Sequence, residues 1–286
     1  MVINMVVFSV VVPNKDRTIL LYRAVESALM QSFKDMEIII IDDSSETVYN
    51  EIKEHFLGNI RVRVVRGDGR DESWARKRGF ELSKGRYVAL LDSDDYWESE
   101  KLQKHYEAFM SDQRIGVTWD LLININEVSG KKSYVTPPHS LLNAKSNLFS
   151  PEVISGELMK SNFIHSSCEI VDKSKVESIG GYPPIRPTDY ILALKMSEHF
   201  YFSLIPFHMT TKFTNRNSLT MKKWLLRREL YNSFPFRLRF ALMQTNVTPF
   251  KKLLDILFLL FLLTGLTIYL NDETRIYLQK KLIEVL

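Results

Sequence analysis

The chain has 286 residues, a formal net charge of +4 and a single cysteine, Cys168. Hydrophobic residues make up 45% of the chain and charged residues 25%. This balance is typical of a folded globular protein and excludes a disordered tail, a collagen-like fibre and a coiled-coil rod. One cysteine excludes an internal disulfide framework and a cysteine-based zinc cluster, and it favours a reducing compartment.

Strands and helices alternate along the first half of the chain. The apolar residues 2–12 have no preceding Lys or Arg and no small-residue cleavage site after them, so we expect a buried parallel strand ended by Pro13 rather than a secretion signal. Apolar residues recur at helical spacing after Thr18, which indicates an amphipathic helix that covers a sheet. The other predicted elements are strands at 37–41, 60–65, 86–91 and 115–125, and helices at 46–57, 72–83 and 98–111. This alternation predicts an α/β fold with a mostly parallel sheet flanked by helices.

Carboxylates follow two of these strands, and the carboxyl ends of strands are where open α/β sheets bind their ligands. The side chains are Asp42 and Asp43 after one strand, and Asp92, Asp94 and Asp95 after the other. Five converging carboxylates repel one another unless a cation lies among them, and oxygen ligands favour Mg²⁺ or Mn²⁺ over zinc. The second cluster therefore predicts a metal-bridged diphosphate. For the first cluster, a simple turn is an alternative.

Four segments, in register, resemble the family 2 glycosyltransferases of the GT-A fold. The segments are Phe8–Pro13, Ile38–Ser45, Ala75–Gly79 and Gly85–Trp97. The resemblance covers residues 6–220 and implies a GT-A Rossmann-like sheet, with a nucleotide-sugar-binding half at 1–112 and an acceptor half at 113–220. It also implies metal-dependent transfer, with inversion, of a sugar from a nucleotide-diphosphate donor, most often a UDP-sugar. The expected cofactor is Mn²⁺ or Mg²⁺, and the expected acceptor is a glycan or a lipid-linked molecule in polysaccharide biosynthesis.

The resemblance gives roles to several donor-side residues. Pro13 matches the loop that lines the nucleobase pocket, Asp43 matches the carboxylate that accepts a hydrogen bond from uracil, and Arg76 matches the basic residue near the base. Asp92 matches the ribose-side carboxylate of the Asp-x-Asp motif, and Asp94 matches its metal-side carboxylate, while Asp95 extends the motif. The sequence departs from the usual pattern at Lys15, Asp16, Ser44 and Lys77. These departures bear on the donor base and sugar rather than on the fold.

The predicted catalytic base comes from the acceptor half. Inverting transfer needs a base that takes the proton of the acceptor hydroxyl. In the family, a Gly-Gly-aromatic turn leads to a Glu-Asp pair that opens a helix, and the Asp is the base. Gly180-Gly181-Tyr182 matches the turn, so the resemblance implies Asp189 as the base, with Thr188 at the Glu position. An Asp at a helix start is also favourable for capping and dipole reasons alone.

Two further sets of polar residues are candidates for the site. Residues 214–220 resemble the segment that closes over the donor, where Arg216 would contact the diphosphate, and a basic loop is the alternative. The six histidines show no metal-ligand spacing, so we expect them to be structural. His165 and Cys168 could face the acceptor, but we expect both to serve in packing.

The C-terminal part combines a basic block with an apolar run. Ten basic residues lie between Lys212 and Lys252, beside one acid, Glu229. The uncharged run 256–270 would extend about 22 Å as a helix, short of the roughly 30 Å hydrocarbon core. We expect residues 221–286 to form a helical, membrane-associated tail on the cytoplasmic face: a monotopic or re-entrant hairpin, a short spanning helix or a buried oligomer-forming helix. Nucleic-acid binding is the alternative for the basic block, but its neighbours are aliphatic rather than stacking aromatics, so we expect no nucleic acid.

Rival functions differ in the motifs that they need. A nucleotidyltransferase needs a Gly-rich loop after the first strand, and a dinucleotide oxidoreductase needs Gly-x-Gly-x-x-Gly there, whereas residues 12–16 contain no glycine. A non-catalytic, membrane-tethered binder of nucleotide sugars, or a partner subunit, stays open. The altered first loop and Thr188 in place of Glu support that alternative.

Overall fold

Residues 6–214 are the part of the chain that the computed structural model describes, and a sheet of ten strands runs through them. The elements in chain order are β1 (Phe8–Asn14), α1 (Thr18–Leu29), β2 (Met36–Asp42), α2 (Glu46–His55), β3 (Val62–Arg66), α3 (Glu72–Leu82), β4 (Tyr87–Leu90), β5 (Asp95–Trp97), α4 (Lys101–Ser111), β6 (Ile115–Asn126), β7 (Lys132–Val135), α5 (His139–Leu142), β8 (Leu148–Phe149), α6 (Pro151–Lys160), β9 (Glu169–Asp172), α7 (Lys173–Ser178), α8 (Thr188–Ser197) and β10 (Tyr201–Thr214). A short 3-10 turn, Ser166–Cys168, precedes β9. The strand order is β3-β2-β1-β4-β9-β6-β10-β5, with β7 beside β6 and β8 beside β10.

The first four strands form a parallel sheet that is covered on both faces. Alternation along β2 divides its isoleucines between the faces: Ile38 and Ile40 belong to the large core that includes residues of α1, whereas Ile39 and Ile41 pack in a second cluster with Ala75 of α3. Strands buried on both faces read as continuous apolar runs rather than as alternating patterns. The predicted elements of this half are confirmed, with small shifts at their ends.

The expectation of a mostly parallel sheet is wrong beyond β4. Strand β9 inserts between β4 and β6 and is antiparallel to both, and β5 is antiparallel to β10. Among the strand pairs that the structure describes beyond β4, only β6 and β10 are parallel. The physical reason is that β9 and β10 return to the sheet from distant parts of the chain, and local periodicity carries no information on their direction.

The third predicted strand also begins later than expected. Strand β3 starts at Val62, and Ile60 is fully exposed instead of paired. In the sequence, Ile60 extends the alternating apolar pattern of Val62 and Val64, and this explains why the predicted strand begins too early. Residue 60 lies in the turn that follows α2.

Several predictions fall outside the described residues. The chain divides between Arg216 and Asn217, and the description ends at residue 214. Arg216, the domain boundary after residue 220 and the membrane-associated tail at 221–286 therefore remain predictions. Within residues 6–214, no helix is long and apolar enough to cross a membrane.

We expect Gly79→Ala to destabilise the protein, because α3 lies so close to β1 that a Cβ atom at this position would overlap the buried Val11 side chain. Overpacking of this kind costs about 1–3 kcal/mol. Urea unfolding of the two proteins measures the difference. Gly156→Ala in α6 is the matched control, since nothing lies within 4 Å of its Cβ position. A Gly79→Ala protein as stable as the Gly156→Ala protein would contradict this packing.

Candidate active site

The polar residues that follow β4 turn back into the sheet through β5. Asp92 and Asp94 lie in this turn, and Asp95 opens β5, which pairs with β10. Because β1, β2 and β4 are adjacent and parallel, their carboxyl ends share one edge of the sheet. This edge carries the site that the sequence predicts.

A buried guanidinium joins three segments at this edge. Arg76, from α3, donates from Nη2 to Asp92 Oδ1 at 2.6 Å and from Nη1 to Thr188 Oγ1 at 2.9 Å. Nη2 also contacts Glu72, one turn earlier on the same helix. Arg76 therefore links the turn after β4 with the start of α8. Thr188 serves here as the hydrogen-bond acceptor that brings Asp189 to the site.

Asp92 is held in its charged form. Burial would raise the pKa of Asp92, but the charges of Arg76 and Lys212 and the hydrogen bonds from Arg76 and Ser166 lower it below the usual value. The Ser166 hydroxyl donates to Asp92 Oδ2 at 2.9 Å. Burial also opposes the charge of Arg76, yet the charges of Asp92 and Glu72 raise its pKa well above the usual value. Asp92 and Arg76 are thus a buried ion pair, and both carboxylate oxygens of Asp92 have partners within the chain.

Asp94 is the most accessible carboxylate of the three. Its side chain is 25% exposed, against 17% for Asp92, and Asp95 is 2% exposed as a residue. Arg17 Nη1 lies 2.6 Å from Asp94 Oδ2, and Arg23 Nη2 donates to the Asp94 carbonyl oxygen at 2.9 Å. Burial and the charge of Asp92 raise the pKa of Asp94, while Arg17 opposes this shift. Asp94 is therefore the carboxylate that a ligand reaches.

Asp95 points into the protein. Its Oδ2 accepts a hydrogen bond of 2.5 Å from the Ser167 hydroxyl, which in turn accepts one of 3.0 Å from the Asp92 main-chain nitrogen. Burial and the charge of Asp92 raise the pKa of Asp95 to about 8. Asp95 is thus largely protonated at neutral pH and fixes the turn instead of meeting a ligand.

Lys212 is a site residue that the sequence interpretation missed. It was grouped with the basic block that begins there, but β10 pairs Lys212 directly with Asp95 of β5. Although burial would lower the pKa of Lys212, the carboxylates of Asp95, Asp92, Asp94 and Asp189 raise it wherever they are ionised. Only the strand register indicates that Lys212 lies near these aspartates, because β10 follows β5 by more than 100 residues in the chain.

Asp42 and Asp43, which follow β2, have different surroundings. Asp42 is fully buried and accepts hydrogen bonds from Asn14 Nδ2 and Ser44 Oγ, both at 2.7 Å. Asp43 is partly exposed, and its Oδ1 accepts a hydrogen bond of 2.7 Å from the Gly69 main chain. Strand β1 separates this pair from the carboxylates after β4. The five carboxylates thus form two groups, and Asp42 has a structural role.

The loop after β1 explains two departures from the family pattern. Pro13 is buried in β1 beside Ile41, and the chain then turns at Asp16, which has a φ of 54°. Asp tolerates this left-handed region better than most residues, as Asn does. Ser44 fixes the turn, because its hydroxyl accepts a hydrogen bond of 2.8 Å from the Asp16 main-chain nitrogen. Asp16 and Ser44 therefore support the same loop.

Asp189 lies in the first turn of α8, and its Oδ1 accepts a hydrogen bond of 2.9 Å from the Tyr190 main-chain nitrogen. The preceding turn needs glycine, since Gly180 and Gly181 have φ values of 95° and 79°. The charge of Asp189 contributes to raising the pKa of Arg76 and of Lys212. Arg76, Asp92, Asp94 and Asp189 are thus brought together.

Glu169, the first residue of β9, is a second residue near Asp189 that the sequence interpretation does not identify. It is buried, and neither carboxylate oxygen has a hydrogen-bond partner among residues 6–214. Burial, with the charge of Asp189 as the next cause, raises the pKa of Glu169 well above its usual value. Burial therefore favours the protonated form of Glu169. His165 lies in the same region, where burial and the charge of Lys212 lower its pKa.

The donor set of the site fits a cation that is shared with phosphates. Within the described part of the chain, no three His, Cys, Asp or Glu side chains are placed to hold a metal ion together. Mg²⁺ commonly takes one or two protein carboxylates and fills its other positions with water and substrate phosphates. Asp94 is partly accessible and contacts Arg17 through Oδ2, and it can supply that single carboxylate.

Comparison with known sequences identifies similar proteins. A family model described as glycosyl transferase family 2 matches residues 9–179. The Escherichia coli UDP-Glc:alpha-D-GlcNAc-diphosphoundecaprenol beta-1,3-glucosyltransferase WfaP is 32% identical over 182 residues, which cover 62% of this chain and 64% of that protein. The Staphylococcus aureus poly(ribitol-phosphate) beta-N-acetylglucosaminyltransferase TarP is 29% identical over 177 residues, which cover 59% of this chain and 51% of TarP. The chain thus spans less than two thirds of the length of either protein.

Comparison with solved structures shows the fold. The structure of S. aureus TarS residues 1–349 in complex with UDP-GlcNAc has a TM-score of 0.69 at 16% identity, and the match covers 98% of this chain and 79% of that one. The complex of the same fragment with UDP has a TM-score of 0.65 at 16% identity and covers 94% of this chain and 77% of the other.

We expect Arg76→Met to cost about 3–5 kcal/mol at pH 7, because it leaves the buried carboxylate of Asp92 without its partner. In the wild type the lowered pKa of Asp92 means that the pair stabilises the protein above the ordinary Asp pKa, about 3.9, and is lost as the pH falls through the lowered value. In the variant, burial raises the pKa of Asp92. The loss of unfolding free energy relative to the wild type should therefore grow between pH 5 and pH 7. Urea unfolding at both pH values measures it.

The control for this prediction is Arg78→Met, which removes an exposed arginine from the same helix and should change the free energy of unfolding by about 0.5 kcal/mol or less. A destabilisation by Arg76→Met that is equal at pH 5 and pH 7 would show that Arg76 contributes packing rather than charge.

Proposed function

The chain belongs to glycosyl transferase family 2, and from this premise we propose that it transfers a sugar, with inversion, from a nucleotide-diphosphate donor to a hydroxyl group of a glycan or lipid-linked acceptor. The observation that carries the proposal is the Arg76 bridge. It places the carboxylates after β4, where a donor would bind, next to Thr188 and Asp189 at the start of α8. The proposed donor site and the proposed catalytic base, Asp189, then lie on opposite sides of the Arg76 guanidinium.

We propose a UDP-sugar as the donor. The partly exposed Asp43 lies just after the carboxyl end of β2, next to Asn14, and offers an acceptor for a base N–H group. The charged Asp92 can accept from ribose hydroxyls through its remaining lone pairs. The printed name of WfaP includes UDP-Glc, and the TarS fragment is solved with UDP-GlcNAc, which supports the same class of donor.

In the proposed reaction the acceptor oxygen bonds to the anomeric carbon while the bond from that carbon to the diphosphate oxygen breaks. Asp189 takes the proton of the acceptor hydroxyl, and Glu169, already protonated, does not compete for it. Arg17 and Lys212 lie where they can balance the charge of the leaving diphosphate. A Mg²⁺ or Mn²⁺ ion held by Asp94 would supply further stabilisation of that charge as a Lewis acid.

The proposed acceptor and location follow from the name of one relative and from the charge of the chain. The name of WfaP describes a diphosphoundecaprenol-linked acceptor, and the basic block between Lys212 and Lys252 suits an anionic membrane surface. We therefore propose a lipid-linked acceptor and a position on the cytoplasmic face of a membrane. A catalytically inactive binder of nucleotide sugars has less support, because Thr188 fulfils a docking role with Arg76.

Isothermal calorimetry with UDP, GDP, CDP and dTDP, with and without Mn²⁺, tests the donor class. We expect selective binding of UDP that strengthens in Mn²⁺, and we expect Asp94→Asn to abolish the strengthening, since it removes the carboxylate for the ion. Asp35→Asn, at the exposed amino end of β2, is the control for the chemical change. Equal binding of UDP with and without Mn²⁺ would contradict metal dependence. Binding of none of the four would contradict the donor site.

Asp189→Asn tests the base. We expect unchanged UDP binding and a fall in the transfer rate of about 10²- to 10⁴-fold, the usual contribution of a general base. Release of UDP from UDP-glucose and UDP-N-acetylglucosamine, with a GlcNAc-diphospho-lipid as the acceptor, measures the rate. Wild-type turnover in the Asp189→Asn protein would overturn the assignment.

A further inference from the structure

A buried polar network lies behind the site, and the proposed reaction does not use it. Its members come from α4, β6 and β10, and each is at most 3% exposed. They are Lys101, His105, Thr118, Asp120 and Thr210. Burying a charged pair costs several kcal/mol per ion, and replacing such a pair with apolar residues is often neutral or stabilising. Stability alone is therefore a poor explanation for this network.

The network is ordered around one carboxylate. Lys101 and Asp120 form an ion pair, and the Thr210 hydroxyl donates to Asp120 Oδ1 at 2.8 Å. Lys101 Nζ also donates to Thr210 Oγ1 at 3.2 Å. At the other end, His105 Nε2 lies 3.1 Å from Asp120 Oδ2, and His105 Nδ1 lies 2.6 Å from Thr118 Oγ1. A network with so many partners is rigid.

Thr210 connects this network to the turn that carries the donor-side carboxylates. The single proton of its hydroxyl is shared between Asp120 Oδ1 at 2.8 Å and the Ser167 carbonyl oxygen at 3.2 Å. The same carbonyl oxygen accepts a hydrogen bond of 2.8 Å from Trp97 Nε1. The Ser167 hydroxyl contacts both the Asp92 main-chain nitrogen and Asp95 Oδ2. The position of Ser167 thus decides where the turn from Asp92 to Asp95 lies.

The strand pairing strengthens this connection. Thr210 is the register partner of Trp97, and Lys212, two residues later, is the register partner of Asp95. A shift of Thr210 would therefore move the Ser167 carbonyl contact and the Lys212 side chain together. Thr118, at the far end of the network, touches neither Ser167 nor the turn in any hydrogen bond described for residues 6–214.

We propose that Thr210, held by the Lys101–Asp120 pair, is a positioning residue for donor binding that acts through Ser167 on the turn from Asp92 to Asp95. This inference rests on the proposed function for its ligand, a nucleoside diphosphate, but its geometry is independent of that ligand. It assigns Thr210 no contact with the substrate. Its effect should appear in donor affinity and KM rather than in the rate of the chemical step.

The test compares Thr210→Val with Thr118→Val in the full chain. Both variants remove one fully buried hydroxyl from the same network, but only Thr210 contacts Ser167. We expect Thr210→Val to weaken UDP binding in Mn²⁺ about tenfold, the equivalent of one lost supporting hydrogen bond. KM for the donor should rise while kcat stays close to that of the wild type. Thr118→Val should leave UDP affinity unchanged even if its melting temperature falls equally, and Thr210→Ser should restore affinity.

Amide hydrogen exchange gives a second readout that needs no ligand. The Asp92 amide donates to the Ser167 hydroxyl, so Thr210→Val should speed exchange in residues 92–95 and Thr118→Val should not. If Thr210→Val does not fold, Trp97→Phe removes the other donor to the Ser167 carbonyl and should give the same pattern. Equal effects of Thr210→Val and Thr118→Val on affinity and exchange would overturn the inference. Absence of UDP binding by the wild type would instead contradict the proposed function, and the exchange data would still decide the inference.

Discussion

The arrangement of the site depends on one constraint, which is that the buried guanidinium of Arg76 must have hydrogen-bond partners. An unpaired buried charge is far more costly than an unpaired surface charge. The two terminal nitrogens of Arg76 meet this need with Asp92 on one side and Thr188 on the other, and the close approach of Gly79 to Val11 fixes the helix that carries it. The two halves of the site are thereby held at a fixed separation by a single side chain.

The surroundings of each acidic residue then determine whether its side chain is charged and what it can do. Burial raises the pKa of Asp95 and Glu169, so these two residues are largely neutral and form part of the interior. Arg76 keeps Asp92 ionised despite burial, whereas Asp94 keeps a partly exposed carboxylate beside Arg17. The sequence presents three similar aspartates in four positions. Only their surroundings distinguish a residue that fixes the turn from one that can meet a ligand.

Local patterns were sufficient to predict the parallel half of the sheet and the carboxylates at its edge. Strands β1, β2 and β4 are largely apolar and lead into polar residues, and this pattern needs no knowledge of distant contacts. The reversed strand β9, the three-residue β5 and the role of Lys212 could not be predicted in this way. Lys212 has basic neighbours in the sequence, and only the pairing of β10 with β5 places it opposite Asp95. Ser167 likewise gives no signal, because Asp92 and Asp95, the partners of its hydroxyl, lie more than 70 residues away in the chain.

The exposed rim of the site and its buried floor differ in how freely their residues can be substituted. Lys15 and Asp16 are exposed on the loop after β1, and Asp43 is partly exposed beside it, so substitutions there alter what a bound base meets without disturbing the core. Ser167, Asp95 and Thr210 are buried, and each shares hydrogen bonds with another element, so a change at one of them moves the turn. The departures from the family pattern at Lys15 and Asp16 fall on the rim. This division favours the same sugar-transfer chemistry with a different donor preference. The buried residues place the reacting groups, whereas the exposed residues select the nucleobase of the donor.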